Sequence, residues 1–150
     1  MRAVVQRVSE GSVEIKNPQH FASIKNGMVI LLGIKEGDTE EELNFVADKC
    51  SNLRIFEDEN GKMNLSLKDI NGEVLVISQF TLYGDARKGN RPSFIEAARP
   101  ETAEKLYEKF ILRMKENLGI EKVKNGIFGA MMMVKIFNDG PVTLIVESKE

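Results

Sequence analysis

Hydrolytic and group-transfer chemistry often starts from a histidine or a cysteine, and this chain has one of each, His20 and Cys50. That inventory allows no intrachain disulfide, and one chain cannot assemble a structural zinc site or an iron–sulfur site from it. A Cys-His nucleophilic pair is formally open. However, Cys50 falls on the apolar stripe of a predicted helix, where an inert buried thiol is expected. His20 follows Asn17-Pro18 in a polar connection and reads as a solvated loop residue. Glu40-Glu41-Glu42 suit the first turn of a helix and Asp58-Glu59 a turn, so no acid pair stands out. Neither G-x-G-x-x-G after a strand nor G-x-x-x-x-G-K-[ST] occurs, which leaves dinucleotide and P-loop chemistry unsupported. An enzyme built on this chain must work without histidine as general base or recruit chemistry from its substrate.

Two segments nevertheless carry the marks of a site. A strongly apolar strand runs directly into Ser78-Gln79-Phe80-Thr81-Leu82-Tyr83-Gly84-Asp85, which places polar groups at its exposed end. Asn138-Asp139-Gly140-Pro141-Val142-Thr143 sets Gly beside Pro, a pair that can hold backbone N–H and C=O groups in a rigid turn. For each, an ordinary turn and a functional site are both open. A third segment, Arg87-Lys88-Gly89-Asn90-Arg91, has three positive charges and reads on charge alone as a solvated loop. Met131-Met132-Met133 is expected to fill a core or a subunit contact.

Elements to position these residues are legible from periodicity and turn chemistry. Residues 2–15 alternate as a strand or hairpin arm, with a bend or bulge at Gly11-Ser12, and Asn26-Gly27 marks a turn. Met28 to Ile34 is an apolar run suited to a central strand buried on both faces. Asp38 or Thr39 can cap a helix over about 39–51, with Leu43, Val46, Ala47 and Cys50 on one face. Arg54 to Glu57 reads as a short strand, and Leu65 and Leu67 alternate after it. Asn71-Gly72 predicts a hairpin into the strand Glu73 to Ser78. Pro100 opens a second helix, with Leu106, Tyr107, Phe110, Ile111 and Met114 on one face and Gly119 as its stop. Met131 to Phe137, a turn at 138–140 and Pro141 to Glu147 suggest a closing hairpin. The pattern predicts an α+β fold with a mixed or antiparallel sheet and two main helices.

Composition bounds the remaining possibilities. The 150 residues are 42% hydrophobic and 29% charged, the balance of a globular protein, and a chain of this size can bury roughly 70% of its unfolded surface in one core. One domain over 1–150 is expected. The longest apolar run, seven residues, falls short of the roughly 18 that span a bilayer, and no signal-peptide pattern opens the chain. A cytoplasmic location without membrane contact is expected. The net charge of −2 argues against non-specific coating of nucleic acid but permits a local basic patch.

The two site-like segments belong to a longer set of motifs. In order these are Met1-Arg2-Ala3-Val4-Val5-Gln6-Arg7-Val8, Asn52-Leu53-Arg54-Ile55-Phe56, Gly61-Lys62-Met63-Asn64-Leu65-Ser66, Ser78-Gln79-Phe80-Thr81-Leu82-Tyr83, Arg91-Pro92-Ser93-Phe94 and Asn138-Asp139-Gly140-Pro141-Val142-Thr143. With this set the chain resembles the D-aminoacyl-tRNA deacylases, also called D-tyrosyl-tRNA deacylases, over essentially its whole length. The resemblance implies a barrel-like α+β homodimer with active sites at the subunit interface. Its substrate would be the aminoacylated 3′ end of tRNA, from which it would hydrolyse a D-amino acid or glycine, and no cofactor or metal is implied. By motif, Ser78, Gln79, Phe80 and Thr81 fall at the catalytic segment, and Thr81 matches a threonine considered as a nucleophile. Gly140 and Pro141 match a Gly-cisPro dipeptide that enters the partner's site and excludes L-amino acids, and Arg7 matches the arginine that holds it. Phe128 and Met132 fall where substrate is bound, Phe128 near the terminal adenosine. Given a tRNA substrate, Arg87, Lys88 and Arg91 become candidates for acceptor-stem phosphates, beside Lys105 and Lys109.

The absence of a histidine-based set fits a mechanism in which backbone N–H groups near Ser78 to Phe80 stabilise the oxyanion and the tRNA 2′-hydroxyl assists water. Two positions depart from the family pattern. Gly84 stands where alanine is frequent, a change expected to alter only backbone freedom, and Met131 stands where many members have an acid. The alternatives are a tRNA- or protein-binding module of the same fold without hydrolysis, and a threonine or serine esterase, which would need a base.

Overall fold

The computed structural model describes residues 1–148. Strand β1 (Arg2–Ile15) is the long element on which the sheet is organised. One edge of β1 is covered in succession by β3 (Gly27–Gly33) and β2 (His20–Ile24), and the other by β8 (Met133–Glu147), all antiparallel to it. Beyond β3 the sheet turns parallel through β6 (Glu73–Ser78) and β7 (Val123–Asn125). The predicted central strand is β3, between β1 and β6. His20 donates from Nε2 to the Asn125 carbonyl at 2.9 Å, which draws β2 round to β7 and nearly closes the sheet as a barrel. His20 is therefore a strand residue with a buried-side partner rather than the solvated loop residue expected.

The two main helices form as the capping and periodicity predict. Helix α1 (Glu40–Asn52) starts at Thr39, whose hydroxyl accepts from the Glu41 N–H, while the Glu42 carboxylate accepts from the Thr39 N–H at 2.6 Å. Asp38 is taken up elsewhere: its carboxylate meets the buried Met1 ammonium at 2.7 Å, and that ammonium also donates to Ser148 Oγ at 2.9 Å. Helix α3 (Pro100–Leu118) carries Pro at its first position and ends at Gly119. Both helices cover one face of the sheet, where Leu43, Val46, Phe110 and Met114 pack with Val5, Ile30 and Val76. A second cluster, including Val13, Ile24, Val29, Leu75 and Ile77, fills the barrel side.

Three turn signals act differently from expectation. The strand β4 (Phe56–Glu57) pairs with β5 (Met63–Leu65), but the alternation does not continue: Ser66 caps a short helix, α2 (Leu67–Ile70). Asn71, at φ 55°, is that helix's left-handed C-cap, and Gly72 follows it, so no hairpin forms and β6 joins β3 in parallel. Gly11 sits in straight strand, where a Cβ would lie 2.8 Å from Val29 Cγ2; the register of β1 shifts earlier, between Gln6 and Glu10. Finally, 133–147 is one strand rather than a hairpin. Gln6 pairs with Thr143 and Val8 with Asn138, so the four residues 139–142 are extruded opposite Arg7 alone.

An ion pair ties α1 to α3: Arg113 donates to both Asp48 oxygens at 2.9 and 2.8 Å, and Asn117 adds a bond of 2.9 Å. These hydrogen bonds, from Arg113 first, hold the Asp48 carboxyl below its ordinary range. A depressed folded-state pKa stabilises above the unfolded value and is lost as pH falls through the folded value. Asp48→Asn should therefore cost less than about 1 kcal/mol at neutral pH, because the pair is partly exposed. In acid-unfolding curves the gap between variant and wild type should close as pH drops below about 4; a pH-independent gap would contradict the assignment.

Candidate active site

Strand β6 ends at Ser78, and the chain then tightens into a 3-10 turn, Phe80–Tyr83. A cavity of about 740 Å³ opens at this strand end. Ser78, Gln79 and Phe80 form one wall, Phe128 to Met132 another, and Phe94 with the start of α3 a third. Five residues singled out by sequence are thus brought together: Ser78, Gln79, Phe80, Phe128 and Met132. Thr81 stands beside the cavity, exposed, with its hydroxyl accepting from Gln79 Nε2.

Polar groups around the strand end are unevenly committed. The Gln79 N–H donates to the Leu32 carbonyl at 2.8 Å, which removes it from the candidate oxyanion donors. The opening N–H groups of a 3-10 turn receive no carbonyl from the turn itself, and here they belong to Phe80 and Thr81. No histidine, aspartate or glutamate lines the cavity; the one charged residue among its described walls is Arg99. A serine or threonine nucleophile would therefore find no base there.

The rest of the wall is aromatic and thioether. Phe80 and Phe94 meet edge to face with centroids 5.2 Å apart, both exposed at the cavity mouth. Phe128 tilts against Tyr107 at 5.9 Å, and the Tyr107 hydroxyl donates to the carbonyls of Val76 and Gly126 at 2.9 and 3.2 Å. Tyr107 thus ties the chain at Gly126, just before the Phe128–Met132 wall, to β6. Gly84 has an ordinary extended backbone, so conformational freedom is not its role. A Cβ there would lie 2.8 Å from Phe94 Cε1, and glycine gives Phe94 room. Of the methionine triplet only Met132 packs against the second cluster; Met131 is 92% exposed at the rim, and Met133, exposed as well, opens β8.

Arg7, Gly140 and Pro141 lie outside this cavity. Arg7 is buried, donates from Nε to the Asp139 carbonyl at 2.9 Å and from a terminal nitrogen to the Ile55 carbonyl at 2.8 Å. The adjoining Gly140–Pro141 peptide is cis, and both residues are exposed. Asn138 braces the loop by accepting from the Val142 N–H at 2.9 Å and donating to Thr143 Oγ1 at 3.0 Å.

The basic stretch lines a second hollow with Asp85 and Ser93, of about 580 Å³. Arg87 makes a two-pronged pair with Asp85 at 2.8 and 2.7 Å, and that arginine pulls the Asp85 carboxyl down to about 2. Lys88 and Arg91 have no partner among the described residues, whereas Lys109 is paired with Glu40 at 3.1 Å. Sequence reasoning missed Arg99 and Phe94 as cavity residues, because nothing local in Ala98-Arg99-Pro100 announces more than a helix start.

Cys50 is fully buried in α1, and burial pushes its thiol up to about 12. The native protein should resist a thiol-directed disulfide reagent at pH 8 and react stoichiometrically once unfolded, as read by thiolate release. Rapid reaction in the native state would overturn this placement.

Comparison with known proteins places the chain among relatives. The family model described as D-Tyr-tRNA(Tyr) deacylase matches residues 4–147. The D-aminoacyl-tRNA deacylase of Clostridium tetani is 59% identical over 150 residues, covering 100% of this chain and 99% of that protein. Its counterpart in Thermosipho africanus is 55% identical over 151 residues, with the same coverage. Among solved structures, the c-Myc DNA Unwinding Element Binding Protein superposes with a TM-score of 0.93 at 44% identity over 100% of both chains. A probable eukaryotic D-amino acid tRNA deacylase shares the fold, at TM-score 0.85 and 17% identity over 97% of this chain and 98% of that one. With a family model covering nearly all of its length and relatives more than half identical from end to end, the chain belongs to the D-Tyr-tRNA(Tyr) deacylase family.

Proposed function

We propose that this protein hydrolyses the ester joining a D-amino acid, or glycine, to the terminal ribose of tRNA, working as a homodimer in which each cavity is completed by the partner. The observation that carries the reading is a cavity with motif residues in its walls and no side-chain base. An aminoacyl ester is already activated, so a site that orients it and stabilises an oxyanion is sufficient chemistry. In this reading Phe128 and Met132 flank the terminal adenosine, with Phe80 at the mouth. The Phe80 N–H, with that of Thr81, supports the oxyanion. Ser78 and Gln79 orient ribose or water, and the substrate's 2′-hydroxyl assists attack.

The Gly140–Pro141 loop is the chiral filter. It is exposed, braced by Arg7 and Asn138, and outside its own chain's cavity, so it can act on a second copy. The more than half-exposed Met133, Phe137 and Ile145 on the same strand supply apolar surface for that contact. A backbone wedge rejects the L-configuration by collision without rewarding any particular D side chain. Lys88 and Arg91 are assigned to acceptor-stem phosphates, and Arg87 shapes their loop through Asp85.

Release of amino acid from matched D- and L-tyrosyl-tRNA tests the reading, with sedimentation reporting a species of twice 16.9 kDa. Wild type should cleave only the D-ester; Gly140→Ala combined with Pro141→Ala should admit the L-ester. Thr81→Ala should keep most of its turnover, since losing a true nucleophile lowers kcat by about 10⁴-fold or more. Binding of tRNA without hydrolysis of either ester would instead favour a non-catalytic binding module.

A further inference from the structure

Among the described residues Arg99 is the single charged one lining a cavity whose other walls are aromatic, aliphatic, thioether or neutral polar. It is exposed and has no ion-pair or hydrogen-bond partner for its guanidinium among the described residues. Every other feature of the cavity suits an uncharged heteroaromatic body: the Phe80–Phe94 pair at the mouth, Phe128 within, and Met131 and Met132 on the wall. A nucleotide seated among these groups carries one anion, its own 5′-phosphate, for which the uncharged walls offer no partner. A guanidinium is the side chain best matched to phosphate oxygens, because its planar donors can engage two of them at once.

We propose that Arg99 binds the 5′-phosphate of the nucleotide seated in the cavity, as a substrate-binding residue that holds the ground state and the transition state alike. This deepens the deacylase reading and rests on it for the identity of the substrate, but the contact belongs to any nucleotide that occupies the cavity. The basic loop, 87–91, precedes Arg99 in the chain. Ser93 borders the second hollow and its neighbour Phe94 borders the cavity, so the two hollows adjoin. Arg99 acts on the terminal nucleotide alone.

The test compares adenosine with adenosine 5′-monophosphate by NMR titration of the full-length protein, in wild type, Arg99→Gln, Arg99→Lys and Lys88→Gln. Wild type should favour the monophosphate by about tenfold, the size of one charge-assisted contact. Arg99→Gln should erase that preference while binding adenosine as before, Arg99→Lys should restore part of it, and Lys88→Gln should leave it intact. On D-aminoacyl-tRNA, Arg99→Gln should raise KM with kcat nearly unchanged, the mark of lost ground-state binding. Equal wild-type affinity for adenosine and its monophosphate, or a preference that survives Arg99→Gln, overturns the proposal. A monophosphate preference that depends on Arg99, in a protein that hydrolyses neither tyrosyl-tRNA, supports the phosphate contact and overturns the deacylase reading.

Discussion

A buried guanidinium must have its donors satisfied, and Arg7 meets that demand with two main-chain carbonyls from distant parts of the chain, Ile55 and Asp139. The nearest carboxylates, on Asp139 and Glu57, stand off at 3.8 and 4.0 Å, so carbonyl geometry rather than ion pairing sets its position. This single side chain fixes how β8 crosses β1. With Arg7 occupying the space opposite the extruded residues 139–142, the strand can resume its pairing at Thr143 and keep the loop in a defined place. The loop's precision follows from a core demand and not from contacts of its own tip.

The cavity is organised on the same economy. In the proposed reading its catalytic capacity lies in main-chain groups that follow β6, a strand end held by the Leu32 carbonyl on one side and by Tyr107 on the other. Side chains supply shape, through rings and methionines, and almost no titratable function. That division explains why the one histidine and the one cysteine are both spent on structure: His20 draws the sheet toward closure, and Cys50 fills the core beneath α1.

What could be read from the sequence was what local physics decides. The caps and stripes of α1 and α3 and the apolar run of β3 each follow from the residues themselves, and all formed where expected. Asn71-Gly72 misled because a left-handed residue followed by glycine serves a helix C-cap as well as a tight hairpin. The 138–140 turn misled in a different way: turn residues report a local reversal of direction, but whether the strand resumes along the same neighbour depends on Arg7, more than a hundred residues away. Of the cavity, the Ser78–Phe80 wall was visible as a strand end, and Phe128 and Met132 came only through resemblance. Phe94 stood in a motif without a role and Arg99 in none, because their meaning depends on walls drawn from four separate stretches of chain.

One arrangement has a mechanical meaning. The Met1 ammonium and Ser148 meet at one end of the β1–β8 ladder, where Arg2 faces Glu147. Force applied across those ends loads the hydrogen bonds singly, from the end inward, as in unzipping, instead of shearing them together. The fork must first part the buried Met1 ammonium from Ser148, and a few pairs in it reaches the Arg7 latch, where separation also tears a second buried charge from the Asp139 carbonyl. The ladder thus resists at two points, its outer end and the loop anchor, and an unfolding motor drawing on either end would meet them in that order.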